Sequence, residues 1–292
     1  MDAFQPFTLC ADDYALGPDI DAGILQLLRQ QRLGAVSCLV TAPRWLQAAP
    51  ALAAFAGRVD IGLHLNFTQP FPGQPAWPLP GFILRAGLRC LPAAEIERDI
   101  DRQLALFEQG MGRLPDYLDG HQHVHQLPLV REAMLRQVAR HWPGGKPWVR
   151  LAWPRRYRGL KAALIGALGG DGLRWRLREA GILCNPDFAG VYSLSPEADY
   201  RRLMQSWLAD LAPGGLVMCH PALATVGPEE GPASTGMRLS EWRVAVPRWR
   251  HHADALSRAR QQELDYLCSF DFESDCRAAG RLAVRFRHAL LR

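Results

Sequence analysis

The 292 residues are 48% hydrophobic and 22% charged, an ordinary globular composition with enough apolar side chain for a large core. No run reaches the roughly 18 uninterrupted apolar residues of a membrane span, and the first residues lack the basic-then-apolar order of a signal peptide, so a cytoplasmic chain without a membrane span is expected. The net charge of +5 comes mostly from arginines at 148–178, 238–260 and 278–292, and with no recognisable nucleic-acid module it reads as a solvated basic surface with no nucleic-acid partner.

The pattern along the chain alternates strand and helix. Phe7–Ala11 reads as a short, fully buried strand closed by Asp12-Asp13. Pro18 suits the first position of a helix whose apolar face is Ile20, Ile24, Leu27 and Leu28. Ala35–Val40 and Val59–Leu65 are the next strands, with a short Ala-rich helix between them and His64 near the end of the third. Continuous apolar strands separated by helices predict a parallel sheet covered by helices.

Residues 69–92 break this rhythm with six prolines, and they read as a long, substrate-facing loop. A helix follows, carrying Ile96, Ile100, Leu104 and Phe107 inward and stopping at Gly110. Tyr117–His121 is the fourth strand, and Pro128 opens another helix. Trp148–Leu151 and Ile182–Asn185 are predicted strands around a helical segment near 160–179. An amphipathic helix over 200–211 leads to strand Leu216–Cys219, which ends on His220-Pro221. Residues 222–240 read as loop and 249–267 as a final helix. The expected organisation is one catalytic domain over 1–270 and a basic tail over 271–292. The seven scattered cysteines form no C-x-x-C pair and read as reduced, structural thiols.

The chemistry lies in a positional regularity. Asp12 and Asp13, His64, Asp119 and His121, and His220 all stand at the C-terminal ends of predicted strands, where parallel α/β folds build their active sites. Two histidines and a carboxylate from separate strands, His64, His121 and Asp13, suit a divalent metal with open positions for water and substrate. Asp12 is the candidate general base and His220 the candidate acid. Taken alone, Asp12-Asp13 could cap a helix, His64 could be structural, and His220-Pro221 could be a turn. The His121-Gln122-His123-Val124-His125 stretch is harder to dismiss; extended backbone there would put all three histidines on one face. Asp119, His123 and His125 are then expected to orient a ligand or touch substrate. His141, His251, His252 and His288 read as surface residues.

With these residues assembled, the chain resembles the YdjC-like carbohydrate deacetylases, which include chitooligosaccharide deacetylases and hopanoid-biosynthesis-associated members. The matching pieces are Ala11-Asp12-Asp13-Tyr14, Gly62-Leu63-His64-Leu65, Asp119 to His125 with Pro128, Cys219-His220-Pro221, and Arg260-Gln261-Gln262-Glu263-Leu264 as an R-x-x-E-L helix. The resemblance implies an α/β fold, a deformed (β/α) barrel of about seven mainly parallel strands, that removes N-acetyl groups from sugars with one divalent ion, magnesium or zinc. It implies metal ligands at Asp13, His64 and His121, a base at Asp12, and by analogy with the broader polysaccharide deacetylases an acid at His220. The partner is then an N-acetylated sugar or glycan-like small molecule, with homodimerisation left open. Two departures stand out: Tyr14-Ala15 where the family commonly has Phe-Gly, and an unusual Trp/Arg-rich stretch at 242–250. A different metal hydrolase, such as a phosphoesterase using Arg150, Arg155 and Arg156, or a non-catalytic sugar-binding protein, are the alternative readings.

Overall fold

A computed structural model describes residues 4–74, 76–223 and 253–290. Strand β1 (Gln5–Tyr14) is buried from Pro6 onward. It is followed by α1 (Pro18–Arg29), β2 (Ala35–Cys38), α2 (Trp45–Ala53), β3 (Asp60–Leu65), α3 (Leu79–Gly87), α4 (Ala93–Met111) and β4 (Tyr117–Gly120). After a short 3-10 turn come α5 (Val130–His141), β5 (Trp148–Val149), α6 (Leu160–Ala167), α7 (Gly170–Glu179), β6 (Phe188–Ala189), α8 (Tyr200–Asp210) and β7 (Leu216–Cys219). The chain continues with α9 (Ala253–Cys268), α10 (Phe270–Ala278), β8 (Arg281–Ala283) and α11 (Phe286–Leu290).

The main path of the sheet runs β5-β4-β3-β2-β1-β7-β6, with every pairing parallel. These seven strands and their helices make the expected deformed β/α barrel, left open between β5 and β6 among the described residues. Side chains span the opening. Leu151 N donates to Asn185 Oδ1 at 2.8 Å, and Asn185 Nδ2 donates to Leu151 O at 2.9 Å. The Asn185 amide thus imitates a strand backbone where the ladder stops. No helix among the described residues is long and apolar enough to cross a membrane.

Several local expectations change. Residues 69–92 are not all loop: Leu79-Pro80 opens α3, since proline is tolerated in a first helical turn. Phe82 of that helix is fully buried and stacks on Phe67 at 5.5 Å. Helix α4 runs through Gly110 and stops at Gly112, which takes φ 67°. Gly110 is a packing residue, because a Cβ there would lie 2.7 Å from the Trp45 indole. Ile182–Asn185 makes one bridge, Cys184 to Val149, and the true strand beyond it is β6, too short to show a period. The segment near 160–179 is two helices, α6 and α7. His141 is not a free surface residue; its Nε2 lies 2.8 Å from Asp101 Oδ1. The loop expected at 222–240 lies outside the described residues from 224 on, as do the start of the last predicted helix, His251 and His252.

The stretch from 271 is folded rather than a basic tail. β8 pairs in parallel with the start of β1, Gln5 opposite Arg281. Phe286 is fully buried with its ring 4.3 Å from that of Trp148. Arg285 Nε and Nη2 donate to Asp60 Oδ1 at 2.9 and 2.7 Å, and Arg281 Nε donates to Leu208 O at 2.9 Å. These arginines satisfy buried acceptors, so their charge does not mark a solvated segment.

Candidate active site

Parallel registry brings the sequence-predicted residues to one end of the sheet. His64 stands opposite Asp119 across β3 and β4, and Ala11, just before the two aspartates, stands opposite Cys219, just before His220. At the end of β1 the backbone curls, with Asp13 and Ala15 at φ 71° and 79°. Both aspartates are buried.

Asp13, His64 and His121 present one carboxylate oxygen and two ring nitrogens that lie within 4.8 Å of one another. His121 Nδ1 is 3.1 Å from Asp13 Oδ1, and His64 Nε2 is 3.8 Å from the same oxygen. His64 Nδ1 is 2.7 Å from Asp119 Oδ1. The carboxylate accepts from Nδ1–H, which leaves the Nε2 lone pair toward Asp13, the arrangement that orients a metal-binding imidazole. Asp13 Oδ2 accepts from Arg260 Nη2 at 2.6 Å. Burial works to raise the Asp13 pKa, but Arg260 and His121 outweigh it and hold the carboxyl well below its usual range. An ionised oxygen and two imidazoles, one of them oriented by a carboxylate, fit a divalent cation.

Asp12 sits beside this group in a different environment. Its Oδ1 and Oδ2 accept from Arg150 Nη1 and Nη2 at 2.8 and 2.9 Å, a bidentate pair. Burial pushes the Asp12 carboxyl up, and the Arg150 guanidinium more than reverses this, so the group is ionised. Arg150 Nη2 also reaches Asp119 Oδ2 at 2.8 Å, and Ser37 Oγ donates to that oxygen at 2.6 Å. One fully buried guanidinium therefore joins Asp12 to the carboxylate that orients His64. Cys10, Asp12 and Asp119 also cluster, but Arg150 lies between the two carboxylates and occupies the place a cation would take.

The three alternate histidines do not share a face. β4 ends at Gly120, and His121–Gln126 forms the 3-10 turn, with Gln122 and His123 at φ 52° and 60°. The turn folds back so closely that a Cβ on Gly120 would lie 3.0 Å from His125 N. Only His121 joins Asp13. His125 is buried, and its Nε2–H donates to Arg150 O at 2.8 Å, so it holds the backbone of the residue that holds Asp12. His123 stands edge-on to Phe188, with ring centroids 5.5 Å apart, and its Nδ1 has no partner among the described residues.

His220 follows β7. Its backbone N donates to Glu263 Oε2 at 2.5 Å, and its ring Nδ1 is buried without a hydrogen-bond partner among the described residues. Burial pulls the His220 imidazole down to about 4. Glu263 also accepts from Tyr192 OH at 2.7 Å, and burial pushes its carboxyl up to about 7. Sequence reasoning did not assign Arg150, Arg260 or Glu263 these places. The R-x-x-E-L pattern was a usable signal for two of them; nothing separates Arg150 from its basic neighbours.

A model of the YdjC-like protein family matches residues 6–278. The chain belongs to this family. Human carbohydrate deacetylase is 27% identical, over 89% of this chain and 88% of its own length. The chitooligosaccharide deacetylase of Enterobacter sp. (strain 638) is 28% identical over 44% of this chain and 54% of its own. Among solved structures, a protein of Enterococcus faecalis V583 provisionally named for cellobiose-phosphate cleavage superposes with a TM-score of 0.65 at 17% identity, covering 98% of this chain and 99% of that one. That likeness supports the YdjC-like fold and says nothing of this chain's substrate.

Proposed function

We propose that this YdjC-like chain is a metal-dependent deacetylase that hydrolyses the N-acetyl group of an acetylated sugar or sugar conjugate. The observation that carries the reading is the buried Asp13–His64–His121 group beside an arginine-held Asp12. The relatives named as carbohydrate and chitooligosaccharide deacetylases support it.

A divalent ion held by Asp13, His64 and His121 would polarise the acetyl carbonyl and acidify water; the two imidazoles favour zinc or another transition metal over magnesium. Asp12 takes the proton of the attacking water. Its Oδ1 also accepts from the Cys10 thiol at 3.7 Å, whereas Oδ2 keeps a lone pair beyond the one that Arg150 uses. Arg150 fixes the direction of that carboxylate and keeps it charged. His220 returns a proton to the departing amine; with its pKa near 4 it is neutral at pH 7, so it must receive that proton during turnover. Asp119 and His125 position His64 and Arg150 respectively. Of the arginines that the phosphoesterase alternative would use, Arg150 is engaged by two carboxylates, and Arg155 and Arg156 have no contact with the Asp13–His64–His121 group among the described residues.

The test is metal content and acetate release from N-acetylated chitooligosaccharides in the wild type, His64→Ala and His121→Ala. Both variants are expected to lose the bound metal and the activity together. Full acetate release from metal-free protein, or phosphate release in place of acetate on a mixed substrate panel, overturns the reading.

A further inference from the structure

Beside the site, the loop after β5 and helix α6 expose apolar side chains. Tyr157, Leu160 and Leu164 are 77%, 78% and 57% exposed, and Trp175 on α7 is 56% exposed. Leu160 and Leu164 are four residues apart and share one face of α6, while Ala162 and Gly166 turn inward. The setting is basic. Residues 152–170 contain no acidic residue. Arg155 and Arg156 precede Tyr157, Arg174 and Arg178 stand one residue before and three after Trp175, and all four are exposed without an ion pair among the described residues, whereas Arg158 and Arg176 are paired with carboxylates. Asp171 and Glu179 are the exposed acids of α7.

This combination has a specific physical counterpart. Aliphatic and aromatic side chains that enter the acyl boundary, ringed by guanidiniums that meet phosphate and anionic headgroups, make an interfacial binding face. A second copy of the chain is a poorer occupant, since a two-fold contact through this face would set unpaired arginines against arginines. We propose that α6 and the loop before it dock peripherally on an anionic bilayer surface.

The face lies on the site's end of the sheet. The loop leaves β5 directly after Arg150. Lys161 Nζ donates to Tyr192 O at 2.8 Å, and Tyr192 OH donates to Glu263, the carboxylate that holds the His220 backbone. Docking therefore takes place a short hydrogen-bonded path from His220, and it does not depend on the reaction proposed above.

Cosedimentation of the full chain with phosphatidylcholine vesicles, with and without phosphatidylserine, tests this directly. The wild type is expected to bind the phosphatidylserine vesicles, more weakly at high salt. The double variant Leu160→Glu/Leu164→Glu is expected to lose at least about tenfold in partition. Arg155→Glu/Arg156→Glu is expected to lose binding to anionic vesicles only. Thermal melting and acetate release from a soluble substrate should stay at wild-type levels in both, which separates failed docking from failed folding or a failed reaction. Absence of wild-type binding, partition by Leu160→Glu/Leu164→Glu equal to wild type, or light scattering showing that these substitutions split a dimer would overturn the proposal.

Discussion

Ala15 holds a conformation that a side chain disfavours. Its φ of 79° sits where the family commonly has glycine, and its N–H is fixed by Asp21 Oδ1 at 2.6 Å. A Cβ in the left-handed region costs about 1–2 kcal/mol, partly offset by the greater freedom of glycine in the unfolded chain. Ala15→Gly is therefore expected to stabilise the protein by about 0.5–1 kcal/mol, raising the melting temperature by about 1–2 °C in a thermal scan. Arg150 is the opposite case. Replacing this buried guanidinium with methionine strips Asp12 of its cation beside an Asp119 left with only His64 and Ser37, a loss of about 3–5 kcal/mol in urea unfolding. Acetate release should fall with it, since Asp12 loses its fixed direction. The aspartates and His64, His121 and His220 were legible in the sequence because each ends an apolar run, where a polar residue is conspicuous. Arg150 was not, because an arginine in an arginine-rich stretch reads as surface until its partners are seen.

At the scale of an element, α9 closes the site from the far end of the chain, with Arg260 on Asp13 and Glu263 on the His220 backbone. Glu263 carries a pH signature. A carboxyl whose pKa is raised from 4.5 to about 7 binds its proton more tightly in the folded state. The folded chain then holds more protons than the unfolded one between those values, so its contribution to stability falls as pH rises through that window. Glu263→Gln removes that titration. Across pH 5 to 7, the unfolding free energy of the variant is expected to gain on the wild type by up to about 1.4 kcal/mol per pH unit. A constant difference in denaturant titrations at successive pH values would contradict it. The 3-10 turn after β4 shows why the histidine run misled: alternation implies a shared face only in extended backbone, and two residues at positive φ abolish it.

At the scale of the molecule, the chain's last described segment locks its first strand. Asp60 accepts from Arg285, from Phe286 N at 3.0 Å and from Trp148 Nε1 at 3.3 Å, joining β3, β5 and α11. Phe286→Ala is expected to cost about 3–5 kcal/mol, lowering the melting temperature by about 5–8 °C. A change of only a degree or two would mean that α11 adds little. The strands β1 to β5 and β7 were readable from their apolar runs, whereas β6 is two residues long and β8 is embedded among arginines. Those depend on partners far away in the chain, which no local window contains.

The place of β1 in the sheet has a consequence for the order in which the protein is made. β1 leaves the ribosome before β7 and α9, yet Thr8 pairs with Leu216 and Asp13 is held by Arg260. Until those residues are synthesised, one edge of the central strand is open and a carboxylate meant for burial has no cation. Such long-range closure slows folding and leaves a nascent chain open to mispairing. Metal affinity should therefore be absent from ribosome-bound chains that end before α9, although they already contain all three proposed ligands.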